Sequence, residues 1–258
     1  MLLYHLHTIY CVESRFKASF GTKSEAKMNI QGLQKLTLLD FPGKVACTVF
    51  TGGCNFRCPF CHNASLVIDF DTEAAYSEEK ILAFLKKRVG VLDGVCITGG
   101  EPLLQRDIIP FLEKIKTLGY SIKLDTNGSS PKKLKELVSL GLIDYVAMDI
   151  KNSPHSYAKT VGLNVFDISA INESVEFLLS GAVDYEFRTT VVKELHTEED
   201  FLHIADWLEG AKIYFLQSFI DSGDIIGNNL HAYSSQEMHG FKDMIKDKIP
   251  SVQVRGTD

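Results

Sequence analysis

The chain has 258 residues, 45% of them apolar and 23% charged, with a formal net charge of −6. That length suits one large domain or two small ones, and the composition suits a globular protein with a sizeable core. The acidic balance, without a basic run or face, argues against nucleic-acid binding through bulk electrostatics, and no apolar stretch approaches the ~18 residues of a membrane span.

In chain order, residues 1–12 are moderately apolar but lack the basic start and small-residue cleavage site of a signal peptide. Residues 1–27 do not match the rest of the chain and are expected to be a non-native or poorly ordered extension, with the domain proper over 28–258. Residues 45–50 form an apolar, β-prone run that delivers a cysteine-rich loop. The next helix has Ser77 as N-cap, with Glu78 and Glu79 suited to its first turn. A strand over 94–98 ends in Gly99-Gly100-Glu101, and a helix over 107–118 stops at Gly119. A strand over 120–124 ends in Asp125-Thr126-Asn127-Gly128, and Pro131 and Gly141 bracket the following helix. A strand over 144–150 ends at Lys151, and a helix over 171–180 comes next. A strand over 183–192 carries Arg188, and a helix over 198–208 leads to a sixth strand at 212–219. Residues 235–248 read as a last amphipathic helix. Residues 221–234, rich in Gly and Asn, are the expected mobile loop.

Strands alternating with helices call for a parallel sheet with right-handed crossovers. Six units are too few for a closed eight-fold barrel, so the expectation is an α/β protein folded as a partial, open (β/α)6 barrel. In such folds the functional residues gather at the C-terminal ends of the strands. The cysteine loop, Gly99-Gly100-Glu101, Asp125–Asn127 and Asp149–Lys151 should therefore meet on one rim.

The loop Thr-Gly-Gly-Cys-Asn-Phe-Arg-Cys-Pro-Phe-Cys-His-Asn places Cys54, Cys58 and Cys61 at C-x3-C-x2-C spacing. Three thiolates can hold three irons of a cubane, leaving the fourth iron open for a cosubstrate. Zinc is the competing reading. Cys61 and His62, being adjacent, would struggle to reach one metal, and no second C-x2-C lies downstream to complete the set. Cys11, Cys47 and Cys96 are scattered and read as buried small residues in a reducing, cytoplasmic protein.

This loop resembles that of the radical S-adenosylmethionine superfamily, with Phe60 in the aromatic slot of C-x3-C-x-aromatic-C. The continuation through His62 and Asn63 resembles the activating enzymes of glycyl-radical proteins. The 39–44 lead-in and Asp125–Gly128 are most similar to the long-form activating protein of anaerobic ribonucleoside-triphosphate reductase. The resemblance implies a [4Fe-4S] cluster on Cys54, Cys58 and Cys61, and S-adenosylmethionine as cosubstrate. It makes Gly99, Gly100 and Glu101 the holders of the methionine amino group, with Glu101 accepting from the ammonium. It associates Asp125, Thr126, Asn127 and Asp149 with a possible monovalent cation and the cosubstrate, and Lys151 with the cosubstrate. Arg188, inside an apolar strand, needs the cosubstrate carboxylate or an acidic neighbour. No catalytic side chain beyond cluster and cosubstrate is expected; flavodoxin or ferredoxin would supply the electron, and a glycyl-radical enzyme would be the partner. Activation of pyruvate formate-lyase, small-molecule radical chemistry of the deazaguanine-synthase kind, and a non-catalytic metal-binding protein are the alternatives.

Overall fold

The structure, a computed structural model, describes residues 28–68, 70 and 73–257. The expected extension over 1–27 lies outside the described residues. A single eight-stranded sheet runs in the order β1 to β8: β1 Ile30–Thr37, β2 Ala46–Thr51, β3 Gly94–Gly99, β4 Ser121–Thr126, β5 Tyr145–Asp149, β6 Asp184–Val191, β7 Tyr214–Ser218 and β8 Val252–Arg255. The pairs from β2 to β8 are all parallel, and β1 joins β2 antiparallel. Among the described residues β1 and β8 do not pair, so the barrel is open, as expected.

Two of these strands exceed the six expected. β1 is an edge strand with two register irregularities and a half-buried middle, so it lacks the clean alternation that marks a strand. β8 has four residues and reaches its place only after a last helix has crossed over from β7.

The helices that cover the sheet are α2 Glu78–Lys86, α3 Ile108–Thr117, α4 Pro131–Ser139, α6 Ser169–Leu179, α7 Glu198–Trp207 and α8 Ser235–Ile245; short turns α1 Ala64–Val67 and α5 Tyr157–Thr160 complete the set. Their ends follow local chemistry. The Ser77 hydroxyl accepts from Lys80 N, as its N-cap position predicts, and Thr197–Asp200 and Ser234–Glu237 form reciprocal capping boxes. Gly119 follows α3 at φ +89°, a conformation that costs glycine nothing.

Period-two alternation gives the sheet two unlike faces. In β4, Ile122 and Leu124 are fully buried with Ile108, Phe111 and Leu112 of α3 in one apolar core. The alternate residues, Lys123 and Asp125, take the other face and form an ion pair there. In β6, Phe187 packs in the apolar core while Glu186 and Arg188 share the charged face. The space enclosed by the open barrel is therefore lined by charge, unlike the side-chain-filled centre of a closed one.

Candidate active site

β2 carries the chain into the cysteine loop, whose shape depends on backbone packing against the end of β3. Gly99 has φ +113°, and a Cβ there would stand 2.4 Å from the Thr51 backbone; a Cβ on Gly100 would stand 2.0 Å from Gly53 O. Gly100 N–H donates to Thr51 O and Glu101 N–H to Gly53 O, both at 2.8 Å. The two glycines thus let the cysteine loop pack directly against the end of β3.

Glu101 is tied into the same junction. Its carboxylate is fully buried and accepts from Leu103 N at 3.0 Å, Thr126 Oγ1 at 2.8 Å and Asn127 N at 2.7 Å. It clamps the end of β3 to the end of β4. Burial pushes its pKa up to about 7, against the three hydrogen bonds. Because the folded pKa lies above the unfolded one, the folded state holds the extra proton between about pH 4.3 and 7, and stability falls as pH rises through that window. Glu101→Gln has no such proton, and its amide would face the Asn127 N–H. The stability advantage of the native residue should shrink between pH 5 and 8 in urea unfolding; a constant difference would place the Glu101 pKa in the ordinary range.

Cys58 is buried, and Cys54 and Cys61 are partly so. Burial raises all three thiols, Cys58 to about 12, while the Lys151 ammonium pulls each one down. Cys58 feels both other cysteines, and Cys54 feels Cys61. The described residues contain no three His, Cys, Asp or Glu side chains drawn together as one metal ion would require. Three neighbouring thiols on one loop, beside a cation that favours thiolate, fit in donor chemistry a cubane that takes one thiolate per iron.

Phe60 is buried against His196 at 6.3 Å between centroids, with Lys151 Nζ 5.9 Å from its ring centre, so the aromatic slot belongs to the core. His62 stacks on Phe219 at 5.6 Å, just past β7.

The aspartates expected at a cation site are bridged by a guanidinium. Arg188 Nη1 lies 3.3 Å from Asp125, and its Nε and Nη2 lie 3.0 and 2.9 Å from Asp149. Lys123 pairs with Asp125, and Lys151 with Asp149 at 3.0 Å, giving an alternating chain of five charges across β4, β5 and β6. Burial opposes ionisation of Asp149, yet Arg188 and Lys151 hold its pKa down at about 2. Burial likewise disfavours the charged Lys151, and Asp149 more than offsets it. Of the two outcomes open to Arg188, the structure has the acidic neighbours.

Several supporting residues had no clear signal in the sequence. His196 is fully buried; its Nδ1 takes the Val192 N–H at 3.1 Å, so Nε2 carries the proton and donates to Lys151 O at 2.8 Å. Lys123 was legible only from its alternation with Asp125. Residues 221–234, expected as a mobile loop, are fastened to the cysteine loop. Asp224 accepts from Ser65 Oγ at 2.8 Å, its carbonyl takes Ala64 N–H at 3.3 Å, and Gly227 N–H donates to Pro59 O at 2.7 Å.

Residues 48–208 match the Radical SAM superfamily. A Methanocaldococcus jannaschii protein provisionally named a glycyl-radical enzyme activating enzyme is 30% identical over 238 residues, covering 89% of this chain and 96% of that one. A 7-carboxy-7-deazaguanine synthase of Koribacter versatilis is 29% identical, over 52% of this chain and 56% of its own. A Helicobacter pylori GTP 3′,8-cyclase is 31% identical over 65% of this chain; the chain spans about half that enzyme's length, 51%. Among solved structures, Streptococcus suis SuiB bound to S-adenosylmethionine superposes with TM-score 0.63 over 79% of this chain and 48% of its own, at 15% identity. A domain of a Bacteroides vulgatus pyruvate-formate lyase-activating enzyme gives TM-score 0.52 over 63% of this chain and 99% of that one, at 15% identity. With the family match across most of the sheet and its cysteine loop at the head of it, the chain belongs to the Radical SAM superfamily.

Proposed function

We propose that the protein activates a glycyl-radical enzyme, with anaerobic ribonucleoside-triphosphate reductase as the partner. The observation that carries this reading is extent: the M. jannaschii relative is matched over 96% of its length, whereas the cyclase and deazaguanine synthase are matched over 51% and 56% of theirs. In this reading Cys54, Cys58 and Cys61 hold a [4Fe-4S] cluster, and S-adenosylmethionine is the cosubstrate. When bound, the cluster supplies the electron that opens the sulfonium S–C5′ bond. The 5′-deoxyadenosyl radical released with methionine would take one hydrogen atom from a glycine Cα of the partner, ending as 5′-deoxyadenosine and leaving the radical on that glycine.

The chain's own part is to bind, orient and keep out water. Lys151 favours the thiolate state of the loop. Glu101 fixes the ends of β3 and β4 against it. Asp149 and Lys151, partly exposed at the rim, offer an acceptor and a donor to a zwitterionic amino-acid group. An external one-electron donor, flavodoxin or ferredoxin, and a cytoplasmic setting belong to the same reading. No helix among the described residues is long and apolar enough to cross a membrane.

The test uses the reductase made with Cα-dideuterated glycine, mixed anaerobically with this protein, S-adenosylmethionine and a strong reductant. Deuterium should appear in 5′-deoxyadenosine and a glycine-centred radical on the partner, and both should vanish with Cys58→Ala. Cleavage without label transfer, with this or any other glycyl-radical partner, would sink the activase reading and favour a small substrate in the charged barrel.

A further inference from the structure

The Cys54 sulfur is reached by a side chain delivered from two strands away, Asn127 after β4. Glu101, after β3, takes the Asn127 backbone N–H at 2.7 Å. Asn127 is itself buried after β4, and its side-chain carbonyl accepts from Ser129 N at 2.9 Å. That bond decides which end of the amide is nitrogen. Turned over, the NH2 would meet the Ser129 N–H, and the carbonyl would meet Asn55 Oδ1. The NH2 therefore points into the cysteine loop, with Nδ2 2.9 Å from Asn55 Oδ1 and 3.7 Å from Cys54 Sγ. Its two hydrogens have two acceptors, and one of them is a ligand sulfur.

The backbone also donates to these sulfurs: Phe56 N lies 3.4 Å from Cys54 Sγ, and Asn63 N serves Cys61. Both follow from the winding of the loop two residues past each cysteine. Asn127 differs, being a side chain delivered from another strand.

The geometry points to Asn127 as a positioning residue that sets the reduction potential of the cluster through the Cys54 sulfur, an inference that rests on the cluster reading above. An N–H aimed at a ligand sulfur draws electron density from it and stabilises the more electron-rich, reduced state. Hydrogen bonds to the sulfurs are among the main determinants of iron–sulfur potentials, and partners behind the ligands tune metals generally. The Ser129 N–H holds the amide in the one orientation that donates, and Glu101 fixes the backbone that carries it.

The experiment is an anaerobic redox titration of the reconstituted protein, followed by electron paramagnetic resonance, without S-adenosylmethionine. Asn127→Asp keeps the oxygen that takes the Ser129 N–H and replaces the donor with a carboxylate oxygen. Asn127→Ala removes both. Ser129→Ala loosens the same turn, losing the hydroxyl that accepts from Asn55 Nδ2 at 3.0 Å, and leaves the donor to Cys54 in place. Both Asn127 variants should titrate at more negative potential than wild type with equal iron content, the Asp variant furthest, and Ser129→Ala should coincide with wild type. If the Asp variant loses iron, the Ala variant decides. Coincident potentials, an equal shift in Ser129→Ala, or loss of iron in both Asn127 variants would overturn the proposal. A cubane with unmoved potential defeats this inference alone, whereas a wild type that assembles no cubane defeats the cluster reading and this with it.

Discussion

Cys58→Ala leaves the protein without its cluster: anaerobic reconstitution should give about four irons per wild-type chain and background iron in the variant. The same loss is expected for Cys54→Ala and Cys61→Ala, because in the proposed reading each thiolate would serve a separate iron and the loop offers no spare sulfur. Cys47→Ala and Cys96→Ala provide the contrast. Both residues are fully buried in strands β2 and β3, and neither lies on the loop. Burial raises the Cys47 thiol to about 12, as suits a small residue packed in the core. Each of these changes should cost roughly 1 kcal/mol of stability and leave iron content intact. Iron-free protein with tetrahedral zinc and full activity would instead support the zinc alternative.

The second large effect concerns stability. Arg188→Ala takes the shared cation from two carboxylates, Asp125 and Asp149, that the guanidinium now bridges at 3.3 and 2.9 Å, and leaves each with one lysine partner, Lys123 and Lys151. Breaking a buried ion pair on one side costs about 3–5 kcal/mol when the remaining charge is left unpaired; with a lysine still on each aspartate and Asp149 partly exposed, the loss should be smaller, about 2–3 kcal/mol. A urea midpoint lowered to match is the expected result. Arg188→Ala combined with Asp125→Asn should recover part of the loss, since the second change removes one of the two negative charges that shared the guanidinium. An unchanged midpoint would show the network to be solvated and of little energetic worth.

How much of this was legible in the sequence depended on how local each signal was. The α2 cap at Ser77, the glycine stop after α3 and the six main strands rest on neighbours in sequence, and they stand where expected. β1 and β8 were missed because one is a bulged edge and the other four residues long, so neither shows a period. The convergence of the cysteine loop, Glu101, Asp125–Asn127 and Lys151 followed from topology and held. Sequence cannot show that Gly99 and Gly100 yield to the Thr51–Gly53 backbone, that Glu101 is consumed by three protein donors, or that Arg188 lies between Asp125 and Asp149. Each of these depends on residues distant in the chain, and alternation alone tells which face a side chain takes, not which partner it meets. His196 and Asp224 were missed for the same reason.

The contact between Asp224 and Ser65, 159 residues apart, has a consequence for how the protein is made. Synthesis proceeds at about 5–20 residues per second, so the cysteine loop leaves the ribosome on the order of ten seconds before the segment that fastens it. Through that interval three thiols are presented on a loop whose last anchors do not yet exist. Contacts of such long separation are also the slow ones to form. Nascent chains stalled before residue 224 should therefore present Cys54, Cys58 and Cys61 to alkylating reagents faster than the completed chain does.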